Sequence, residues 1–455
     1  MLKLIFIIPF LILTLACNNK NETAKNEYPI NTQNKKISKE DSLLLDKVQH
    51  QTFNYFWEGE EPISGAARER IHMDSIYPQN DQDVVTSGGT GFGVMAILVG
   101  IERGFITREQ GYQRLKKLTE WLTTAERHHG AWSHWLLPDG STQAFSKFDD
   151  GGDLVETAYL VQGLITARQY FKTGNQAEKE LAEQMDGLWK GVDWNWYTNN
   201  QNTLYWHWSP NYGWKMNFSV RGYNECLIMY VLAASSPTHP ISPAAYHEGF
   251  MRSGAIVTDR EYYGLPTILD HYDSNDMAVG PLFWAHYSYL GLDPNGLKDK
   301  YGDFWTLNQN HAKIHHRHCT TNPNEYEGYS DKCWGLTSSY SMQGYSGHNP
   351  QEDLGVISPT AALSSFPYTP EESMDFLHFM YEEQDSLIGD YGPYDAFSFQ
   401  SKWSLPRYLA IDQLPIPVMI ENYRSQLLWD LFMSADEVQV GLDKLGFNYK
   451  KRKTI

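Results

Sequence analysis

Apolar residues recur at helical spacing along almost the whole chain, while alternating β-branched runs are scarce, so the scaffold is expected to be built from helices. Residues 41–57 set Leu44, Val48, Phe53 and Phe56 near one face. Thr107 and Gln110 form a capping-box pattern ahead of Leu115, Leu118 and Leu122. Thr369, Pro370 and Glu372 mark a helix start, and Ser434 to Glu437 repeats that logic. Further helices are expected near 90–102, 153–171, 176–188, 217–234, 240–253, 280–290, 356–365 and 416–433. The connections at 188–216 and 316–350 far exceed the roughly 2–8 residues usual between packed helices. Long ordered loops on a helical scaffold carry function. The expected shape is an all-α toroid of paired inner and outer helices whose loops wall a cleft.

The N-terminus reads as processing signal. Lys3 precedes an apolar stretch over 4–15, interrupted only by Pro9 and Thr14, that is too short to span a bilayer. It ends in Leu15-Ala16-Cys17, a lipobox-like sequence, so residues 1–17 are expected to be a lipoprotein signal with Cys17 as the lipidated residue. Residues 18–40 are polar and rich in Asn and Lys, a solvated tether. Residues 41–455 are then one catalytic domain. The expected location is exported and lipid-anchored, periplasmic or at the outer membrane, with the lipid as the sole membrane contact.

Charge narrows the partners. With 37 Lys plus Arg against 55 Asp plus Glu, the net charge of −18 repels nucleic acid and anionic membrane surfaces. A neutral substrate suits it, and a monomer is expected. Beyond Cys17, an exported protein permits a disulfide between Cys319 and Cys333, while Cys226 reads as a small buried residue.

Three acidic segments carry candidate chemistry. In residues 148–164, Asp149, Asp153 and Glu156 have i, i+4, i+7 spacing and would share a face of a continuous helix, with Asp150 beside them. Asp153 and Glu156 also read as N-cap and capping box, and both roles stand open. Gly151-Gly152 is not a phosphate loop, since no Lys-Ser/Thr follows. In residues 221–234, Glu225 heads a helix apolar on every side. Burial there would raise its pKa toward that of a general acid, unless Arg221 satisfies it. In residues 408–429, Asp412 lies among apolar flanks before Pro415, as a second carboxylate or a cap. Glu421 and Arg424 read as a structural pair.

Aromatic residues crowd the loop between the first two acidic segments. Trp194, Trp196, Trp206, Trp208 and Trp214 interleave with Tyr197, Tyr205, His207 and Tyr212. Sugar rings stack their C–H faces on such side chains, and Trp132, His134 and Trp135 are expected to extend the wall. No metal is expected: His311 and His315 lie at i, i+4 but no Glu stands between them as HExxH requires. No GxSxG motif supports a serine triad.

Together these segments resemble the glucoamylase-like family of bacterial proteins, specifically glycoside hydrolase family 144, whose characterised members act on β-1,2-glucans. The resemblance rests on QTFNYFWEG (51–59), GGTGFGVMAILVGIERGFITREQ (88–110), DDGGDLVETAYL (149–160), LYWHWSP (204–210), RGYNECLIMYVLAASSPTHPI (221–241), GPLFWAHYSYLGLDP (280–294), WGLTSSY (334–340), ISPTAALSSFPYTPEES (357–373) and AIDQLPIPVMIENYR (410–424). It implies an (α/α)6 toroid, no cofactor and hydrolysis with inversion. It implies Glu225 as leading catalytic residue, with Asp149, Asp153 and Asp412 as further catalytic carboxylates. Glu156, Asp150, Trp132, His134, Trp206, His207, Trp208, Trp214, Arg221 and Tyr223 are the expected substrate contacts. The chain departs from the family pattern at Leu414, where DQGP is usual, and at Pro393, where YGF is usual. The alternative reading is a non-catalytic glycan-binding lipoprotein of an uptake system, which has no need for Glu225.

Overall fold

Burial sorts the helices into two kinds. A computed structural model describes residues 37–271 and 279–453; the signal, Cys17 and nearly all of the tether lie outside these. Helices α1 (Lys39–Trp57), α3 (Arg108–Thr124) and α5 (Gln176–Lys190) bury one face only. Helices α2 (Ser87–Glu102), α4 (Leu154–Phe171) and α6 (Leu227–Ser235) are buried nearly all round. The first kind is outer and the second inner, which is the order their sequence patterns demand.

The alternation continues with less regular elements. A π-helical turn at Ala245–Phe250 precedes two short 3-10 turns, Leu282–Ala285 and Tyr287–Tyr289. Then come α7 (Phe304–Thr321), α8 (Pro359–Leu363), α9 (Pro370–His378), α10 (Ala410–Gln413) and α11 (Pro415–Ser425). Two further helices, α12 (Leu427–Met433) and α13 (Asp436–Leu445), pack on α4 and α6. Inner elements follow one another round a closed circuit: α2 on α4, α4 on α6, α6 on 287–289, then α8 on α11 and α11 back on α2. The link from the 3-10 turns to the end of α8 is made by His286 Nε2 to Ser365 Oγ at 2.9 Å and by Tyr368, whose hydroxyl donates to Ala285 O at 2.9 Å. This is the (α/α)6 toroid.

Two glycines set the tightest inner crossing. A Cβ on Gly91 of α2 would collide with the main chain of Tyr159 in α4, and one on Gly163 of α4 would collide with Gly91. The backbones therefore touch, and the packed Leu, Ile and Phe side chains around them each contribute about 1.5–3 kcal/mol.

Several expected elements differ. The Thr107–Gln110 capping box forms, with Gln110 N–H donating to Thr107 Oγ1 at 3.2 Å. Thr369 and Ser434 do not cap; their hydroxyls go to Ser365 O and Leu431 O instead. The helix expected over 217–234 begins only at Leu227, because Gly222 adopts φ 78° and 219–220 pairs as a strand with 204–205. The run 416–433 is split at Gln426, φ 63°. The helix α7 was not among those expected. Glu421 and Arg424 do not pair with each other: Glu421 takes a two-bonded contact from Arg103 at 2.6 and 2.8 Å, and Arg424 reaches Asp46 at 2.5 Å. Cys226, Cys319 and Cys333 are all buried and free, so the disulfide is absent among the described residues.

Candidate active site

The starts of the inner helices bring the acids together. Unpaired N–H groups and the positive end of the helix dipole favour carboxylates at a helix start. Asp153 is the N-cap of α4 and accepts from Glu156 N–H at 2.9 Å. It is fully buried and also accepts from His134 Nδ1 at 2.9 Å and Trp206 Nε1 at 3.0 Å. Burial pushes its pKa up, but the bonds and charge of His134, with His207 behind them, hold it below the usual carboxylate value. Burial alone would lower His134; Glu156, Asp153 and Asp149 around it override this and raise it to about 10. His134 is therefore an imidazolium among carboxylates, stacked on Phe145 at 4.1 Å.

Asp149 is not on the helix, so the single-face geometry expected for 149, 153 and 156 does not apply. A strand pair brings it in instead: Asp153 lies opposite His207 in register, and His207 Nε2 sits 3.1 Å from Asp149 and 3.6 Å from Asp153. Burial, then the Asp153 charge, raises Asp149 to about 7. Burial lowers His207, whose Nδ1 has no partner.

Glu156 does not complete a capping box. Its carboxylate leaves the cap for α2, accepting from Gly88 N–H at 2.9 Å, and burial raises it to about 7. The absence of a side chain at Gly88 makes this approach possible, since a Cβ there would collide with Glu156 Oε2.

Glu225 lies just before α6 with its main chain fixed and its side chain not. Ser288 Oγ and the Tyr159 hydroxyl both donate to its carbonyl. The carboxyl is buried, its Oε2 has no hydrogen-bond partner, and burial raises it to about 7. Arg221 is exposed and makes no ion pair with it among the described residues. The structural explanation for this acid therefore fails. An unpaired carboxyl with a pKa near neutrality can give up a proton to a leaving group.

Asp412 sits in the first turn of α10 and accepts from the Tyr287 hydroxyl at 3.3 Å. Sequence reasoning missed the groups around it. Asp395 is in side-chain contact with Asp412, and Glu69, Arg70 and Tyr345 face the pair. Glu69 reads in sequence as one charge in a surface run (Arg68-Glu69-Arg70), and Asp395 as a loop residue. The one legible signal was the Gly392-Pro393 turn ahead of Asp395, fixed by Gly392 at φ 91°. Leu414 has φ −78°, so its departure from glycine costs no backbone strain.

The residues expected in the aromatic wall divide between core and partly exposed positions. Trp132 and Tyr223 are core residues, fully buried; Trp132 packs under Arg127 at 4.1 Å and Tyr223 bonds to Asn308 at 2.7 Å. Trp194 is core too. Trp206, Trp208 and Trp214 are half-buried. Trp206 stacks on the exposed Phe218 at 5.4 Å, and Trp208 meets His129 at 4.6 Å and Trp196 at 6.2 Å. Trp214 packs on Tyr205 at 5.5 Å. Asp150 accepts from Asn211 at 2.8 Å, which makes it a loop tie. His311 and His315 both reach the Gly280 carbonyl, at 2.8 and 3.0 Å. Ligand atoms of His134, Asp149 and Asp153 lie within 4.8 Å of one another, near enough for a cation. His134 Nδ1 is bonded to Asp153 within that group.

A family model described as glucoamylase matches residues 217–436. An endo-β-1,2-glucanase from Chitinophaga pinensis, solved with sophorotriose and glucose, is 57% identical, covers 90% of this chain and 99% of its own, and superposes with a TM-score of 0.88. The chain belongs to this glucoamylase-like family, glycoside hydrolase family 144. A second member, the exo-β-1,2-glucooligosaccharide sophorohydrolase (non-reducing end) of Parabacteroides distasonis, is 44% identical over 431 residues, 89% of this chain. The present chain spans 58% of that relative's length. A Talaromyces funiculosus endo-β-1,2-glucanase, 9% identical with a TM-score of 0.63 over 89% of this chain and 90% of its own, shares the family's fold.

Proposed function

We propose that this family 144 member hydrolyses β-1,2-glucan with inversion, from within the chain, as an exported lipid-anchored monomer. The observation that carries the reading is Glu225: buried, raised to about 7, and with its Oε2 bonded to nothing. Inversion needs one carboxylic acid at the glycosidic oxygen and one carboxylate activating water. Glu225 is the acid. Asp149, bonded to His207 and raised to about 7, is the base, while Asp153 fixes His134 and Trp206 around it. Endo action is favoured because the endo-acting relative is 57% identical to this chain and the exo-acting one 44%. Trp206, Trp208, Trp214 and the exposed Arg221 would hold sugar residues at the rim. The anchor rests on residues 15–17.

The test is a linkage panel of β-1,2-, β-1,3-, β-1,4- and α-1,4-glucans with chromatography over time. Only β-1,2-glucan is expected to be cut, with mixed lengths appearing first. A disaccharide alone from the outset would move the reading to exo action. Tight binding in calorimetry without any product would replace the enzyme with a glycan-binding lipoprotein.

A further inference from the structure

Asp395 and Asp412 lie against each other beneath the site, 3% and 1% exposed. The main chain brings them together. Asp395 N–H donates to Arg407 O at 3.0 Å, and Arg407 opens the strand Arg407–Leu409 that runs straight into α10, where Asp412 sits. Each carboxyl has one oxygen accounted for. Tyr340 N–H donates to Asp395 Oδ2 at 2.8 Å, and the Tyr287 hydroxyl donates to Asp412 Oδ1 at 3.3 Å. The other two, Asp395 Oδ1 and Asp412 Oδ2, are buried and have no donor. The two side chains are within hydrogen-bond reach of each other, and a hydrogen shared between them would satisfy both oxygens.

We infer that Asp395 is a positioning residue that shares a single proton with Asp412, so that Asp412 stands in the site neutral and is not the carboxylate that activates water. Like charges this close in a buried place cannot both ionise. The surroundings agree. Glu69 adds a further acid, Tyr287 and Tyr345 add neutral hydroxyls, and the nearby Arg70 is shared with Glu69 at 3.6 Å. Burial first, then the Asp395 charge, pushes Asp412 well above the usual carboxylate value, while Asp395 stands at about 6. The pair titrates as a unit carrying one negative charge near neutrality. The inference rests on the glucanase reading only for the consequence that the base is then left to Asp149.

Infrared spectroscopy of the whole protein tests the proton without any substrate. At pH 7 Asp412→Asn is expected to lose carboxylic-acid C=O intensity while keeping its carboxylate bands; loss of carboxylate instead overturns the proposal. In an Asp395→Asn background the Asp412 acid band, isolated by subtracting the matching Asp412→Asn spectrum, should disappear at a pH lower by about one unit or more, because the repelling charge is gone. An unchanged midpoint makes Asp395 a structural residue only. If Asp395→Asn does not fold, the Asp412→Asn spectrum still decides where the proton is.

Kinetics on β-1,2-glucan give a second readout. Asparagine at 412 copies a protonated aspartate, with its N–H donating to Asp395 and its carbonyl accepting from Tyr287. Asp412→Asn should therefore retain about tenfold or more of the kcat/KM left in Asp412→Ala, the worth of one hydrogen bond. Equal losses would return Asp412 to the base role. A chain that cuts no glucan defeats the glucanase reading and leaves the infrared result standing.

Discussion

Tyr159 and Tyr287 meet edge to face, their ring centroids 5.6 Å apart, and their hydroxyls reach the Glu225 carbonyl and the Asp412 carboxyl group. Phe92 closes the group at 5.3 and 5.1 Å. Three inner elements thus supply an aromatic floor under two acids that lie 187 positions apart in sequence, 225 and 412. The floor keeps water from the acids and so raises them, which is what catalysis by proton transfer requires at neutral pH.

Glu225→Gln should lower turnover on β-1,2-glucan by about a hundredfold or more, the scale of a lost general acid. Because no residue pairs with the carboxyl, the amide costs the fold nothing, and the melting temperature should stay equal or rise. Turnover close to wild type would remove Glu225 from the mechanism.

The pH profile of kcat/KM should be a narrow bell with its maximum near 7. On the acid side Asp149 takes up a proton and ceases to be a base; on the alkaline side Glu225 loses the one it must donate. Both stand at about 7, so neither limb has a long plateau beside it. A rate held flat from pH 7 to 9 contradicts the assignment of Glu225.

The inner helices were legible because a helix apolar on every side announces its own burial, as in Leu227–Ser235. Helices such as α3 and α5, which bury one face only, alternate with them along the chain. The 3-10 and π turns at 282–289 and 245–250 were not legible as such, because tertiary packing decides between helix types at equal hydrophobicity. In the site, Asp153 and Glu225 stood out as charges against apolar sequence. Asp395 and Glu69 did not, since nothing nearby in sequence says that a loop acid turns inward. Crowding misled at Trp132 and Trp194, both fully buried: a cluster of rings along the chain does not tell which ones are core.

His134→Gln should destabilise the protein by about 3 kcal/mol at pH 7, leaving buried carboxylates without their cation. The sign of the pH dependence follows from the raised pKa. A histidine at about 10 when folded and 6.5 when unfolded contributes its full stability below about pH 6.5 and loses it as pH rises through 10. The gap between wild type and variant in urea unfolding should therefore shrink steadily from pH 7 to 10. A gap constant over that range would mean that His134 is neutral in the fold.

Two glycine-to-alanine changes should have opposite signs. At Gly88 the new methyl group occupies the place of Glu156 Oε2, so the carboxylate must leave the N–H it accepts from. Overpacking of this kind costs about 1–3 kcal/mol, and it moves an acid beside His134, so activity should fall along with stability. At Gly187, inside α5, a Cβ meets nothing within 4 Å, and the backbone is already helical. There alanine only removes freedom from the unfolded chain, and should stabilise by about 0.5–1 kcal/mol with activity unchanged. Thermal melts and glucan assays on the two variants side by side check both signs; a Gly88→Ala protein with wild-type melting and turnover would show that Glu156 does not need its contact with α2.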